Sequence, residues 1–596
     1  MKRLIVIPFI LLSLSLFAAP IGEQRAKEIA MNFFASSNTR SSSVVLDLEW
    51  AGSDAESLEF INSTTRSSDS EAEGANKALI YIYNRIDTKG FVVVAGDDNV
   101  ERAIIAFSLS NTFNTKDMPE GAKAMLQAWC EQIAAARNSK APKVVTRAET
   151  GVGNVVCQYE TALWGQNAPY NTHSPMYDGD KTPSGCVATA MAILCYYHKW
   201  PEKGVGTTPE YTYKDDLGIS RTIPANELGR TYDYSLMLSD YSNGYTEEQG
   251  LQVADLMYDL GTSVKMAYGQ DGSGANSFTA TSSMVKYFGY SKGAIHVSHN
   301  GYTEEEWTVI LKNNIKEYGP TKFRGSSDSS GHAFILDGFT DANYFSINYG
   351  SNGKGNGYYL LPNISFYKDQ AAGIGLIPDR DGTSEYRNYL TLRYMETTSG
   401  VIYRGLYTVA TIYETGVPFQ CYVMVTNSGI GDFYGYFCIA HCDKDNNIKK
   451  VLYQVNRTSR KIGPKGYLSI AKDMTISNNI EVGDCLRVFY RGSDDEEWIL
   501  ARRNSTQAYD KVLLCATPQE VAQSLNLEYD KESKSLSFLS EHAIQYVIKN
   551  AAGVVVVSNN VASHTTEQID LSLLESGTYT CSFASGGEPY NFRLKL

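Results

Sequence analysis

Four residues carry the side chains best suited to covalent chemistry: Cys186, His332, Gln166 and Asn348. In PSGCVATAMAILCYYHKW, residues 183–200, Ser184 and Gly185 offer a turn or cap, and Cys186 opens an Ala-rich run with apolar positions at helical period. A thiol at a helix N-terminus sits at the positive end of the peptide dipoles, which favours thiolate, the nucleophilic form. Taken alone, the segment reads equally as a packed helix with a buried cysteine. In SGHAFILDGFTDANYFSINYG, residues 330–350, His332 begins an apolar strand after a glycine, and Asn348 closes the next strand sixteen positions later. A hairpin would bring the two together, so that a neutral imidazole takes the Cys186 proton while the Asn348 amide fixes its tautomer from the far ring nitrogen. In ALWGQNAPYN, residues 162–171, Gln166 precedes the cysteine by twenty positions. Its amide, beside the Cys186 backbone N–H, would donate to a developing oxyanion. Together these residues describe a thiol nucleophile with a base beside it and a donor for a developing oxyanion.

The chain that must position them has 596 residues, too many for one hydrophobic core, and so is modular. Apolar content of 43% and charged content of 20% are those of a globular protein, and 41 Tyr with 49 Gly lean towards β-rich architecture. A net charge of −13 without a long Lys/Arg run argues against nucleic acid as a partner. Residues 1–19 read as a signal peptide, with Lys2 and Arg3 before an apolar run and small residues at Ala18 and Ala19. That run of about 14 residues is short of the roughly 20 a spanning helix needs, so a secreted, periplasmic or cell-surface protein without stable membrane insertion is expected. Ten cysteines are spread too thinly for a disulfide scaffold. Cys438, His441 and Cys442 hint at metal, but YGYFCIAHCD alternates like a strand and lacks a second ligand pair, so no metal site or cofactor is assigned.

Residues 20–147 read as a small α+β domain: a helix in GEQRAKEIAMNFFASS, strands in ALIYIYNR, GFVVVAGDD and AIIAFSLS, and a helix through Arg137. The following NSKAPKVVTRAETGVGN is polar and broken by Pro and Gly, as a cleavable linker is. Residues 148–380 mix helix and strand signals and hold all four candidate residues. Short alternating runs with turns over 385–515 predict an immunoglobulin-like β-sandwich, and 516–596 a further small β-domain.

The segments WGQNAPYN, SGCVATAMA with its trailing YYHKWP, EEEW at 304–307, GHAFILDGF and INYGSNGKGNGYY resemble the streptopain family of papain-like cysteine peptidases. Upstream, GFVVVAGDDNVERAIIAFS and the following helix look like that family's inhibitory prodomain, so the resemblance spans roughly residues 20–380. It implies an α+β fold, with a papain-like two-lobed catalytic domain preceded by an α+β inhibitory prodomain, here followed by β-sandwich domains. It also implies a zymogen acting on protein or peptide substrates, inhibited by its own prodomain and matured by a cut between Lys140 and Tyr159. Carried over residue by residue, Cys186 is the nucleophile, His332 the base and Gln166 the oxyanion donor. Gly331, Ser273 and Tyr349 are then expected to meet substrate. One departure stands out: where the family runs W-G-W-G-G, this chain has Tyr349, Gly350, Ser351, Asn352 and Gly353. Both indoles that shield the histidine in the family are missing, which keeps open a noncatalytic peptide binder, or an adhesion protein whose activity lies in the β-domains.

Overall fold

The computed structural model describes residues 20–36, 44–52, 78–138, 151–328, 331–365 and 367–596. The signal peptide and most of the linker expected from the sequence lie outside the described residues. The described chain divides into two compact units, one of residues up to Tyr290 together with Glu304–Pro378, the other of Ser291–Thr303 together with Asp379–Leu596.

In the first unit, apolar runs of β-branched and aromatic residues form the fully buried strands Phe91–Ala95 and Ile104–Ser108, which pair antiparallel beside Ile80–Arg85 and Leu46–Gly52. The helix Glu23–Ser36 buries Ile29, Phe33 and Phe34 against them. This sheet does not close on itself. Ile104–Ser108 pairs antiparallel with Gly357–Tyr359, joining Ala106 to Tyr359 and Phe107 to Tyr358, and the ladder continues through Phe345–Asn348, Gly331–Thr340, Thr321–Ser326 and Lys368–Ile374. The N-terminal segment, expected as a separate α+β domain, thus shares its sheet with the strands that carry His332 and Asn348. Edge pairing of this kind satisfies a row of backbone donors and acceptors that would otherwise face water.

The helix Cys186–His198 is buried on nearly every side, from Val187 to Cys195, as a helix packed inside a domain must be. It packs on the His332 strand and on the helix Glu247–Ser263, whose start is fixed by a capping box between Thr246 and Gln249.

In the second unit, strands Pro418–Asn427 and Gly435–Cys442 belong to two five-stranded sheets with a common core of Leu390, Val423, Phe437, Ile439 and Val488. The last eighty residues add a three-stranded and a four-stranded sheet. Their core, around Phe538, Ile544 and Phe583, is continuous with Cys438, Ala440, Cys442 and Cys485 of the preceding sandwich. Residues 291–303, which the sequence places inside the catalytic stretch, belong to this unit, with the Gly301 carbonyl accepting from Arg502 Nη1 at 3.1 Å. His441 Nε2 meets Asp484 Oδ2 at 2.7 Å inside the sandwich.

Candidate active site

Gly185 precedes Cys186 with φ at +88°, a conformation that side chains rarely adopt. A Cβ there would also stand 2.6 Å from Met266 Sδ and 3.0 Å from the Ser273 carbonyl oxygen. The glycine therefore lets the chain turn sharply into the helix and leaves Cys186 at its first position, half-buried. Burial works against a thiolate at Cys186, but the charge and hydrogen bond of His332, the Ala333 backbone and Lys322 outweigh it and bring the thiol down to about 7. The other nine cysteines, all free, go the other way: desolvation raises every one of them, Cys130 and Cys195 to about 12. Ordinary packing thus accounts for nine thiols and leaves one activated.

His332 lies near the start of strand Gly331–Thr340 and is buried. Burial disfavours its cation, yet Cys186, the Tyr349 backbone and Glu120 together raise its pKa. Its Nε2 stands 3.1 Å from the Tyr349 carbonyl oxygen. A carbonyl only accepts, so Nε2 carries the proton, and Nδ1 is the nitrogen left with a lone pair for the Cys186 thiol.

Asn348 does not reach the imidazole. Its Nδ2 donates to Thr161 Oγ1 and the Ala162 carbonyl, both at 2.9 Å, and its Oδ1 accepts from Gly350 N at 3.1 Å. The expected amide-to-imidazole bond is replaced by a main-chain one, because the register sets Asn348 opposite Ile335 and brings the next residue's carbonyl to the ring. Asn348 instead pins residues 161–162, the start of the Gln166 loop. That loop is held further by the buried Trp164, whose Nε1 donates to the Leu238 carbonyl at 2.8 Å and whose carbonyl accepts from Asn352 N at 3.0 Å. The Gln166 carbonyl accepts from Ser184 N at 2.9 Å, tying the loop to the turn before the cysteine. The Gln166 side chain is partly exposed and bonds to no described residue, so its amide remains available.

Of the expected substrate contacts, Gly331 is exposed at its strand end, and Ser273 is buried with Oγ accepting from Gly269 N at 3.4 Å. Tyr349 corrects the sequence reading. Its ring is wholly buried between Phe334 and Tyr359, and its hydroxyl meets Met125 Sδ at 3.6 Å, so it meets the helix and not an open cleft.

Met125 belongs to the helix Glu120–Asn138, which covers this side of the site through one stripe of residues. Trp129 Nε1 donates to the Leu360 carbonyl at 3.0 Å, and Gln132 Oε1 accepts from Asn363 N at 2.9 Å. At the head of the stripe a Cβ on Gly121 would lie 2.4 Å from His332 Cδ2 and 2.9 Å from Tyr349 Cδ1. Positions 121, 125, 129 and 132 share one helical face, and the glycine allows the helix to rest directly on the imidazole. Overpacking so tight a contact usually costs about 1–3 kcal/mol. Gly121→Val is therefore expected to speed hydrogen exchange of residues 120–138 by roughly 5- to 100-fold, as read by mass spectrometry; an unchanged rate would mean the contact does not hold the helix.

A thiol lowered by a buried imidazole at a helix N-terminus, with the Gln166 loop tied to the turn before it and a helix of the N-terminal segment over it, is the arrangement of a cysteine nucleophile. Comparison with known proteins agrees with that class. Residues 164–359 match the Peptidase C10 family and residues 18–133 match the Spi protease inhibitor. The chain belongs to the peptidase C10 family. It is 28% identical over 357 residues to the thiol protease/hemagglutinin PrtT of Porphyromonas gingivalis, covering 58% of this chain and 39% of that protein. It is 26% identical over 313 residues to streptopain of Streptococcus pyogenes, covering 49% of this chain and 75% of streptopain. Among solved structures, the active interpain A cysteine protease of Prevotella intermedia is 32% identical, with 39% of this chain and 99% of that one covered and a TM-score of 0.34. The chain thus spans well under half the length of PrtT.

Proposed function

We propose that the protein is an exported cysteine endopeptidase made as a zymogen, whose residues 20–147 inhibit the domain that follows. The observation that carries this reading is the contrast among the ten cysteines, with Cys186 alone shifted towards thiolate and His332 as the cause that opposes burial. In the proposed reaction the Cys186 thiolate attacks the scissile carbonyl carbon. The Cys186 N–H and the Gln166 amide steady the resulting oxyanion. His332 then gives its Nδ1 proton to the leaving amine as the C–N bond breaks, which leaves a thioester. Water, losing a proton to the same nitrogen, attacks that thioester; the acid departs and the thiol is restored. The Tyr349 carbonyl holds the ring in the tautomer this cycle needs, and Asn348 acts one step away by fixing the Gln166 loop. The β-sheets of the second unit carry no assigned chemistry here.

A peptide acyloxymethyl ketone at neutral pH, applied once the chain has been cut between Lys140 and Tyr159 so that the covering helix is released, tests the assignment directly. Stoichiometric modification at Cys186, with the other nine cysteines untouched under native conditions, is the expected mass-spectrometric result. A protein left unlabelled at Cys186 would favour a peptide-capturing scaffold without turnover, the reading to which the absent indoles at Tyr349 and Ser351 point.

A further inference from the structure

Two cations on the strand next to His332 carry no proton in the cycle just described, although Lys322 helps to lower the Cys186 thiol. Strand Thr321–Ser326 pairs with the His332 strand, Arg324 opposite Ala333 and Lys322 opposite Ile335, so side-chain alternation puts Lys322 and Arg324 on one face. Lys322 is only 1% exposed, and its ammonium is bonded to Ser277 alone, through the carbonyl oxygen at 3.3 Å and a short contact to the hydroxyl. Arg324 is half-buried, with its guanidinium 5.1 Å from the centre of the Phe278 ring. Its Nη2 lies 3.8 Å from the point where a Cβ on Gly331 would stand. Gly331 is the exposed residue expected along the substrate backbone. Among the described residues no carboxylate pairs with either cation.

An ammonium taken out of water without a counter-ion is unfavourable, and such groups are normally paired. The thiolate of Cys186 already has the His332 cation as its partner, so the site holds more positive than negative charge. This occurs in a chain whose net charge is −13. A buried hydroxyl close by does lack a hydrogen-bond partner: Tyr367 Oη bonds to no described residue and lies within electrostatic reach of both Arg324 and Cys186. Desolvation, then Arg324, bring Lys322 down to about 7, so it is charged only in part at neutral pH and a carboxylate placed beside it would draw the proton back on.

We propose that Lys322 and Arg324 form a cationic subsite beside Cys186 that receives the side-chain carboxylate of an aspartate or glutamate of the peptide, directing cleavage to bonds near acidic residues. The subsite rests on the peptidase reading for its consequence in turnover, but its affinity for carboxylate does not depend on that reading. Charge-assisted bonds to a planar guanidinium give directional selection, and the nearby ammonium adds to it where water is scarce.

The test uses quenched fluorescent peptides that differ only in carrying Glu, Gln or Leu, placed in turn at each of three positions before the cut. They are offered to the self-processed full chain as wild type, Arg324→Gln, Arg324→Lys and Lys322→Met. The expected result is a Glu-over-Gln ratio in kcat/KM on the order of tenfold or more at one position. It should collapse to about one in Arg324→Gln, recover in part in Arg324→Lys and shrink at high salt. A ratio near one at every position in the wild type, or one that Arg324→Gln leaves unmoved, overturns the subsite while leaving the peptidase intact. If no peptide is cut, the peptidase reading fails, and fluorescence anisotropy with the same peptides on the full chain decides the subsite: selective binding of the Glu peptide that Arg324→Gln abolishes upholds it, and equal affinity removes it. Should Lys322→Met fail to fold, the half-exposed Arg324 carries the test.

Discussion

Replacing Cys186 by alanine is expected to leave a folded chain that cuts nothing, itself included. The helix from Cys186 is buried from Val187 to Cys195, while Cys186 itself is only half-buried, so a methyl group in place of the thiol should leave the fold intact. Without sulfur there is no thioester, and removal of a covalent nucleophile costs on the order of 10⁴-fold or more in turnover. Time-resolved mass spectrometry of residues 20–596, wild type beside Cys186→Ala and with an unfolded protein as substrate, reads both consequences. The wild type should shed its N-terminal segment by a cut between Lys140 and Tyr159 and then degrade the substrate; the variant should do neither. Self-trimming by Cys186→Ala at the wild-type rate would remove the cysteine from the mechanism altogether. The docking of the 120–138 helix gives the experiment its order: because Gly121 rests on His332, substrate loss should lag behind loss of the segment.

The proposed nucleophile and base each stand in a local sequence pattern with a physical reading. A glycine before a cysteine that opens an Ala-rich helix, and a glycine before a histidine that opens an apolar strand, both survive folding unchanged. What the pattern could not carry was register. A hairpin between His332 and Asn348 follows from the apolar runs, but the local irregularity between Leu336 and Gly338, which sets Asn348 opposite residue 335 where an unbroken register would set it opposite 336, leaves no mark on the alternation. The Tyr349 carbonyl, as main chain, has no residue-type signature at all. For the same reason the sequence concealed the joining of Ile104–Ser108 to Gly357–Tyr359, which is made by backbone groups, and the assignment of residues 291–303 to the second unit, held in part through Arg502 and a main-chain oxygen. The helix stripe of Gly121, Met125, Trp129 and Gln132 was within reach: its spacing is periodic, and a glycine at its head marks where another group must come close.

His332→Ala should separate the two ways in which the histidine serves the cysteine. In the wild type the thiol is down at about 7, so roughly a tenth of it is thiolate at pH 6. Taking away the imidazole removes the largest influence that opposes burial. The Cys186 thiol then rises past the ordinary value of about 8.5. At pH 6 the thiolate fraction falls roughly a hundredfold, while above pH 10 the two proteins converge. Alkylation by iodoacetamide, followed by mass spectrometry at Cys186 from pH 5 to 10, should therefore show a profile displaced to higher pH without loss of its plateau. Peptide hydrolysis should not recover at any pH, because deprotonating the thiol by added base restores the nucleophile but supplies no acid to the leaving amine. The geometry of the hydrogen bonds dictates that asymmetry: Nε2 is committed to the Tyr349 carbonyl, so the one nitrogen that lowers the thiol is also the one that must deliver the proton. If alkylation of His332→Ala followed the wild-type curve, the low thiol value would have to come from the helix terminus and Lys322, and His332 would lose its place as the base.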